Sequence, residues 1–292
     1  MKNIVYTCFI CLVALAACNQ NKTAITENST NTAATGDVTQ DWKFGIALWT
    51  FHTFNFPEAL AKVDSAGVQY VEPNTFHKTG PDLKDSLILQ LSPTGLTKLR
   101  SLLDQKKLAV GSVYIVGDST VASWQKQFEI AKQLGATFVT AEPPINMWDS
   151  VDSLAGAYNL KVALHEHWKG VSRYWHPDSV LAAIKDHPNF GACADLGHWP
   201  KSGINPLEAV RKLNGHIIGV HLKDIAAFND PKLKDVPVGT GVVDFPAVFQ
   251  ELKKQQFKGY IYIERDAEDK PSNLPSVIQT VKYYNDQVKQ LQ

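Results

Sequence analysis

Between Phe44 and Leu291, apolar runs of strand length alternate with amphipathic stretches of helix length, and the pair recurs eight times. "FGIALWTF" (Phe44–Phe51) precedes "FPEALAKVDSAG", "LAVGSVYIV" precedes "STVASWQKQFEIAKQLG", and "FKGYIYIERD" precedes "LPSVIQTVKYYNDQVKQL". Strands this continuously apolar are buried on both faces, which means a parallel sheet covered by helices. Eight such units in roughly 250 residues predict an α/β chain folded as a single (β/α)8 barrel over 42–292. A doubly wound open sheet is the alternative, but "GIALWTFHTF" carries no Gly-rich phosphate loop after the first strand.

A barrel explains an oddity of "IIGVHLKD" (Ile217–Asp224), a buried strand that ends on His221, Lys223 and Asp224. In this architecture function sits at the carboxyl ends of the strands. Polar residues recur there. They include Trp49 and His52, Glu72 and Asn74, Tyr114, Glu142, the triplet His165–Glu166–His167, Asp195 and His198, His221 and Lys223, and Glu264 and Arg265. Several carboxylates buried together are costly unless something positive offsets them. One divalent cation held by Glu142, Asp195, His221 and Glu264, near the ends of strands four, six, seven and eight, is the simplest solution. The oxygen-rich set suits Mn2+ best, with Mg2+ and Co2+ as options. Taken singly, His221 is compatible with a satisfied core histidine, and Lys223 with a partner in Asp224 or Glu264. Trp49, Trp168, Tyr174 and Trp175 are candidates to stack on a sugar ring or to pack the rim. Alternation would send His165 and His167 to one side and Glu166 to the other, unless the strand has already ended.

The segments "TAEP", "ADLGHW", "VHLKD" and "YIERD", with "PVGTGVVDFPAVF" after strand seven, resemble the xylose isomerase-like TIM-barrel superfamily, also called sugar phosphate isomerases/epimerases. The resemblance runs from Phe44 to about Leu291. It implies that Glu142, Asp195, His221 and Glu264 ligate one metal and that Glu142 and Glu264 transfer protons. It also implies that His198 contacts a substrate oxygen and that Glu72, His165 and His167 line the sugar pocket. Trp49, Tyr114 and Lys223 complete the expected substrate-binding set. "HLKDIAAFND" lacks the Asp-x-Asp of the two-metal sugar isomerases, so proton transfer is expected rather than a hydride shift. The expected function is a metal-dependent isomerase or epimerase acting on a sugar or keto-sugar. A lyase or hydratase acting on 3-keto-glycosides, or a non-catalytic lipid-anchored sugar-binding protein, would use the same barrel. The endonuclease branch, with its several zinc ions and basic groove, fits poorly with a formal net charge of zero, which also argues against a nucleic-acid partner.

The first eighteen residues, "MKNIVYTCFICLVALAAC", carry one Lys and then an apolar run too short to span a bilayer, the layout of a secretory leader. "LAAC" resembles a bacterial lipobox, which would make Cys18 the lipidation site. Residues 19–41, rich in Thr, Asn and Ala, read as a flexible tether. An exported cell-envelope lipoprotein, touching the membrane only through its anchor, is the expectation. Of the 4 cysteines, only Cys193 lies in the body, so no disulfide staples it.

Overall fold

The structure is a computed structural model that describes residues 37–292. The expected leader, Cys18 and most of the tether lie outside the described residues. Residues 37–41, assigned above to the end of the tether, form a 3-10 turn in which the Asp37 carboxylate accepts the Thr39 N–H and Val38 and Thr39 are buried. These five residues are thus packed against the barrel body.

The strands are β1 (Lys43–Ala47), β2 (Tyr70–Glu72), β3 (Ala109–Val110), β4 (Ser112–Tyr114), β5 (Phe138–Ala141), β6 (Lys161–Leu164), β7 (Phe190–Asp195), β8 (Ile217–Leu222), β9 (Asp224–Ile225), β10 (Asp235–Val236) and β11 (Tyr260–Ile263). Nine of them pair in the order β3-β2-β1-β11-β8-β7-β6-β5-β4, and every pairing between them is parallel. The two ends of this order, β3 and β4, are halves of one extended stretch interrupted at Gly111. The sheet thus returns on itself as a (β/α)8 barrel. Gly111 is required there: a Cβ would lie 2.2 Å from the Tyr260 ring and 2.3 Å from the Tyr262 hydroxyl.

Helices α1 (Phe56–Ala66), α2 (Pro93–Gln105), α3 (Val121–Leu134), α4 (Trp148–Tyr158), α5 (Pro177–Ile184), α6 (His198–Lys201), α7 (Pro206–Lys212), α8 (Phe245–Lys254) and α9 (Leu274–Leu291) surround it. Helix α1 shows how the sequence sets such an element. The Asn55 side chain accepts the Glu58 N–H and the Glu58 carboxylate accepts the Asn55 N–H, a reciprocal cap. Phe56, Ala59, Leu60 and Val63, spaced by three and four, form its buried face. Gly67, at φ 73°, ends it.

The core has two parts. A large one lies between sheet and helices. A smaller one, Ala47, Phe138, Ala163, Cys193, Tyr260 and Tyr262, fills the barrel interior. Side-chain alternation continues this inner set upward, from Tyr260 and Tyr262 to Glu264 and from Cys193 to Asp195. The apolar plug is thereby the floor on which the polar end rests. Strand one is shorter than expected. Its sheet pairing stops at Ala47, and Leu48–Phe51 form a 3-10 turn, which places Trp49 on the rim. Between β9 and β10, an antiparallel pair, residues 226–234 form a long connection over the barrel mouth.

Candidate active site

Four side chains from separate strands meet above the plug. Asp195 ends β7, His221 lies in β8, Glu264 follows β11, and His165 follows β6. Each offers a donor atom, and these atoms all lie within 4.8 Å of one another. His221 Nδ1 is 3.0 Å from Glu264 Oε2 and 3.8 Å from Asp195 Oδ2. His165 Nε2 is 3.6 Å from Asp195 Oδ2 and 3.9 Å from Glu264 Oε2. All four are buried.

Glu142 is not in this group. Its Oε1 lies 2.5 Å from His167 Nδ1 and 3.3 Å from His165 Nδ1, and its Oε2 accepts the Ser172 hydroxyl at 2.5 Å. Of the four expected ligands, three come together and His165 stands where Glu142 was expected. His165 continues the inward side of β6 from Ala163, as alternation places it, and its N–H still donates to the Ala141 carbonyl of the neighbouring strand; from there its Nε2 faces Asp195. Glu166 is buried too, and its Oε1 accepts the Asp195 N–H at 2.8 Å. Burial raises its pKa well above the usual range.

The excess negative charge is met by Lys223, 1% exposed, whose Nζ donates to Asp266 Oδ2 at 2.9 Å and lies 3.2 Å from Glu264 Oε2 and 3.5 Å from Asp195 Oδ2. Burial opposes its charge, but Asp195, Asp266 and Glu264 override it and hold its pKa well above normal. Burial likewise works against the Glu264 carboxylate, and the charges of Lys223 and His221 reverse this and keep it ionised. For Glu142, hydrogen bonds and charge from His165 and His167 outweigh burial and hold its pKa well below the usual range. His198 was expected to meet substrate. Instead it is wholly buried, with Nε2 accepting from Lys223 Nζ at 3.1 Å. Burial lowers its pKa well below normal, which suits a neutral acceptor.

A cavity of about 480 Å³ opens over these groups, within the usual range for small-molecule sites. Glu72, His165, His167, Lys223 and Glu264 face its deep end, and Trp49, Tyr114 and Trp168 its walls. Glu72 is locked in place: Ser112 and Thr140 hydroxyls each donate to Oε2 at 2.5 Å, and Oε1 lies 3.0 Å from His221 Nε2. Tyr174 is not a stacking platform. It is buried, with its hydroxyl donating to the Pro143 carbonyl. Trp175 lies apart from the residues that line the cavity.

Sequence reasoning missed Asp266, which accepts from both Trp49 Nε1 (2.9 Å) and Lys223. Its spacing of two from Glu264 was the available signal. Also missed was the connection after β9, which brings Lys232 and Lys234 to the cavity mouth, and Lys201, whose Nζ sits 4.5 Å over the Trp168 ring.

The chemistry of the group fits a divalent cation. His165 Nε2 and Asp195 Oδ2 are buried without hydrogen-bond partners among the described residues, which is rare unless a ligand completes them. Two imidazoles and two carboxylates form a mixed N/O donor set of the kind such ions take.

A family model described as "Xylose isomerase-like TIM barrel" matches residues 60–286. An inosose dehydratase of Clostridium botulinum is 30% identical over 143 residues, covering 44% of this chain and 47% of that protein. The chain thus spans about half the length of the curated relatives it matches. The crystal structure of an uncharacterized protein from Parabacteroides distasonis is 33% identical with a TM-score of 0.67, covering 86% of this chain and 100% of that one. The IolI protein, whose crystal structure holds a zinc atom, shares the fold at 20% identity and a TM-score of 0.70, over 85% of this chain and 98% of that one. The closed parallel barrel, the polar strand ends and these matches agree: the chain belongs to the xylose isomerase-like TIM-barrel family.

Proposed function

We propose that the chain is a divalent-metal-dependent sugar isomerase or epimerase that moves a proton at the carbon beside a carbonyl. The observation that carries this reading is the buried His165–Asp195–His221–Glu264 group at the deep end of a sugar-sized cavity. Those four residues would hold the ion; the second imidazole makes the set less oxygen-rich than expected and suits Zn2+ or Co2+ as well as Mn2+. When bound, such an ion supplies Lewis acidity toward a substrate carbonyl oxygen.

The chain's own residues supply the proton chemistry. Glu264, ionised beside Lys223 and facing the cavity, takes the proton from the α-carbon. Across the cavity His167 faces the substrate with Glu142 hydrogen-bonded behind it, and this pair returns a proton on the other face or at the neighbouring carbon. One proton leaves and one returns, so no redox partner is needed. Lys223 adds positive charge where negative charge develops on oxygen. Trp49 and Trp168 provide apolar faces for the sugar ring.

A second reading, a dehydratase or lyase, is favoured by the similarity to inosose dehydratase. Where a leaving group stands β to the carbonyl, the same abstraction by Glu264 expels it, and the His167–Glu142 pair protonates the departing oxygen. Turnover of keto-sugars and their glycosides in D2O separates the two. Deuterium in recovered sugar without loss of a substituent supports epimerisation, and release of water or alcohol supports elimination. A Glu264→Gln variant with full turnover would overturn both.

A further inference from the structure

A second cleft of about 450 Å³ adjoins the catalytic cavity, and the two share Trp49, Asn74 and Phe76 as a common wall. Asn74 is 3% exposed, yet neither its side-chain nitrogen nor its oxygen has a hydrogen-bond partner among the described residues. A buried amide with both ends unpaired is costly and rare in a native structure, and a ligand that bonds it removes the cost. His77 Nδ1, on the wall of the same cleft, is also buried and unpartnered. Phe76 is a large apolar side chain left 37% exposed, set edge-on to Trp49 with ring centroids 5.9 Å apart. No acidic side chain lines this cleft among the described residues.

An aromatic face beside an amide that can donate and accept at once matches a ring with adjacent hydroxyls. We propose that this cleft is a second sugar subsite, with Asn74 in the partition hydrogen-bonding the sugar, so that the substrate carries a second ring beyond the one that reacts. This rests on the sugar-converting reading above and narrows it from free monosaccharides to substituted ones. Lys78 stands exposed among the lining residues, while the unpartnered groups themselves, an amide and an imidazole nitrogen, are of the kind that bond the hydroxyls of a neutral ring.

The test is calorimetric titration of the full chain with glucose and with cellobiose, each oxidised to the ketone at C3 of its non-reducing ring. The two-ring sugar should bind at least about tenfold tighter than the one-ring sugar. Thr53→Trp, which fills the cleft from its exposed rim, should erase that difference by weakening the two-ring sugar, and Asn74→Leu should weaken it about tenfold or more. Equal affinity of the two sugars for the wild type, or a difference that survives Thr53→Trp, overturns the subsite alone. Failure of the wild type to bind either sugar overturns the sugar-converting reading together with it.

Discussion

Asp195 and Asp224 stand at the ends of neighbouring parts of the barrel, both fully buried, and their surroundings differ in kind. Asp224 spends both oxygens on backbone: Oδ1 accepts the N–H groups of Ile225 and Val243, and Oδ2 those of Gly239 and Gly241, at 2.8–3.2 Å. Asp195 spends one. Its Oδ1 accepts the N–H groups of Gly197 and His198, while Oδ2 has no hydrogen bond and looks toward Lys223, His165 and His221. A carboxylate saturated by backbone donors fixes a loop. A carboxylate held by one oxygen, with the other free, is aimed at a ligand. Glu264, among imidazoles and Lys223, belongs to the second kind.

This contrast can be broken by experiment. The largest effect is expected for Glu264→Gln, which should lower kcat by about 10²–10⁴-fold while leaving the thermal midpoint nearly unchanged. A collapse of stability with intact specific activity would place Glu264 with Asp224 instead. A buried group outside both sets gives the frame its own acid limit. His77, held down to about 4 by burial against the Phe54 carbonyl bond, is neutral in the fold while the unfolded chain takes up a proton below its usual 6.5. Its contribution is therefore complete above pH 6.5 and is lost as pH falls toward 4, at about 1.4 kcal/mol per pH unit and roughly 3 kcal/mol in all. Denaturant midpoints across that window should flatten in His77→Gln, and an unchanged slope would contradict the assignment.

Metal should separate the two aspartates directly. Adding Mn2+ at about a hundred times its Kd to chelated protein should stabilise the fold by about 2.7 kcal/mol. Asp195→Asn should abolish that gain and Asp224→Asn should keep it, as read by thermal shift; a gain in neither wild type nor Asp224→Asn would sink the cation site, as would undiminished activity after exhaustive chelation. The smallest effect is expected for Asp224→Asn itself. Its amide NH2 would face backbone donors, which should cost about 2 kcal/mol of stability with kcat of the folded protein retained.

The barrel was legible because its signal is repetitive. Eight apolar runs of strand length each closed on polar residues, and strand-end logic found Asp195, His221, Lys223 and Glu264, which the structure brings together. The rest depended on contacts between strands. Alternation carries from the inward Ala163 to His165 and His167, but it gives no distances, so it could not show that His165 would stand beside Asp195 while Glu142 paired with His167. It could not show that His198 would be drawn beneath the cavity by Lys223. Glu72 was expected on the pocket wall, and only tertiary contacts from Ser112 and Thr140, on two other strands, reveal how it is pinned beside His221. The long connection after β9 carried no periodicity, and its lysines reach the mouth because Asp224 and Asp235 tie down its two ends.

Lys223 has a consequence for how the protein matures. An internal ammonium already neutralises part of the acidic cluster, so the barrel can close before any ion arrives. On the proposed reading, metallation would then follow folding instead of driving it, and ion choice would rest on the shape of a finished pocket and on which metal the surroundings supply.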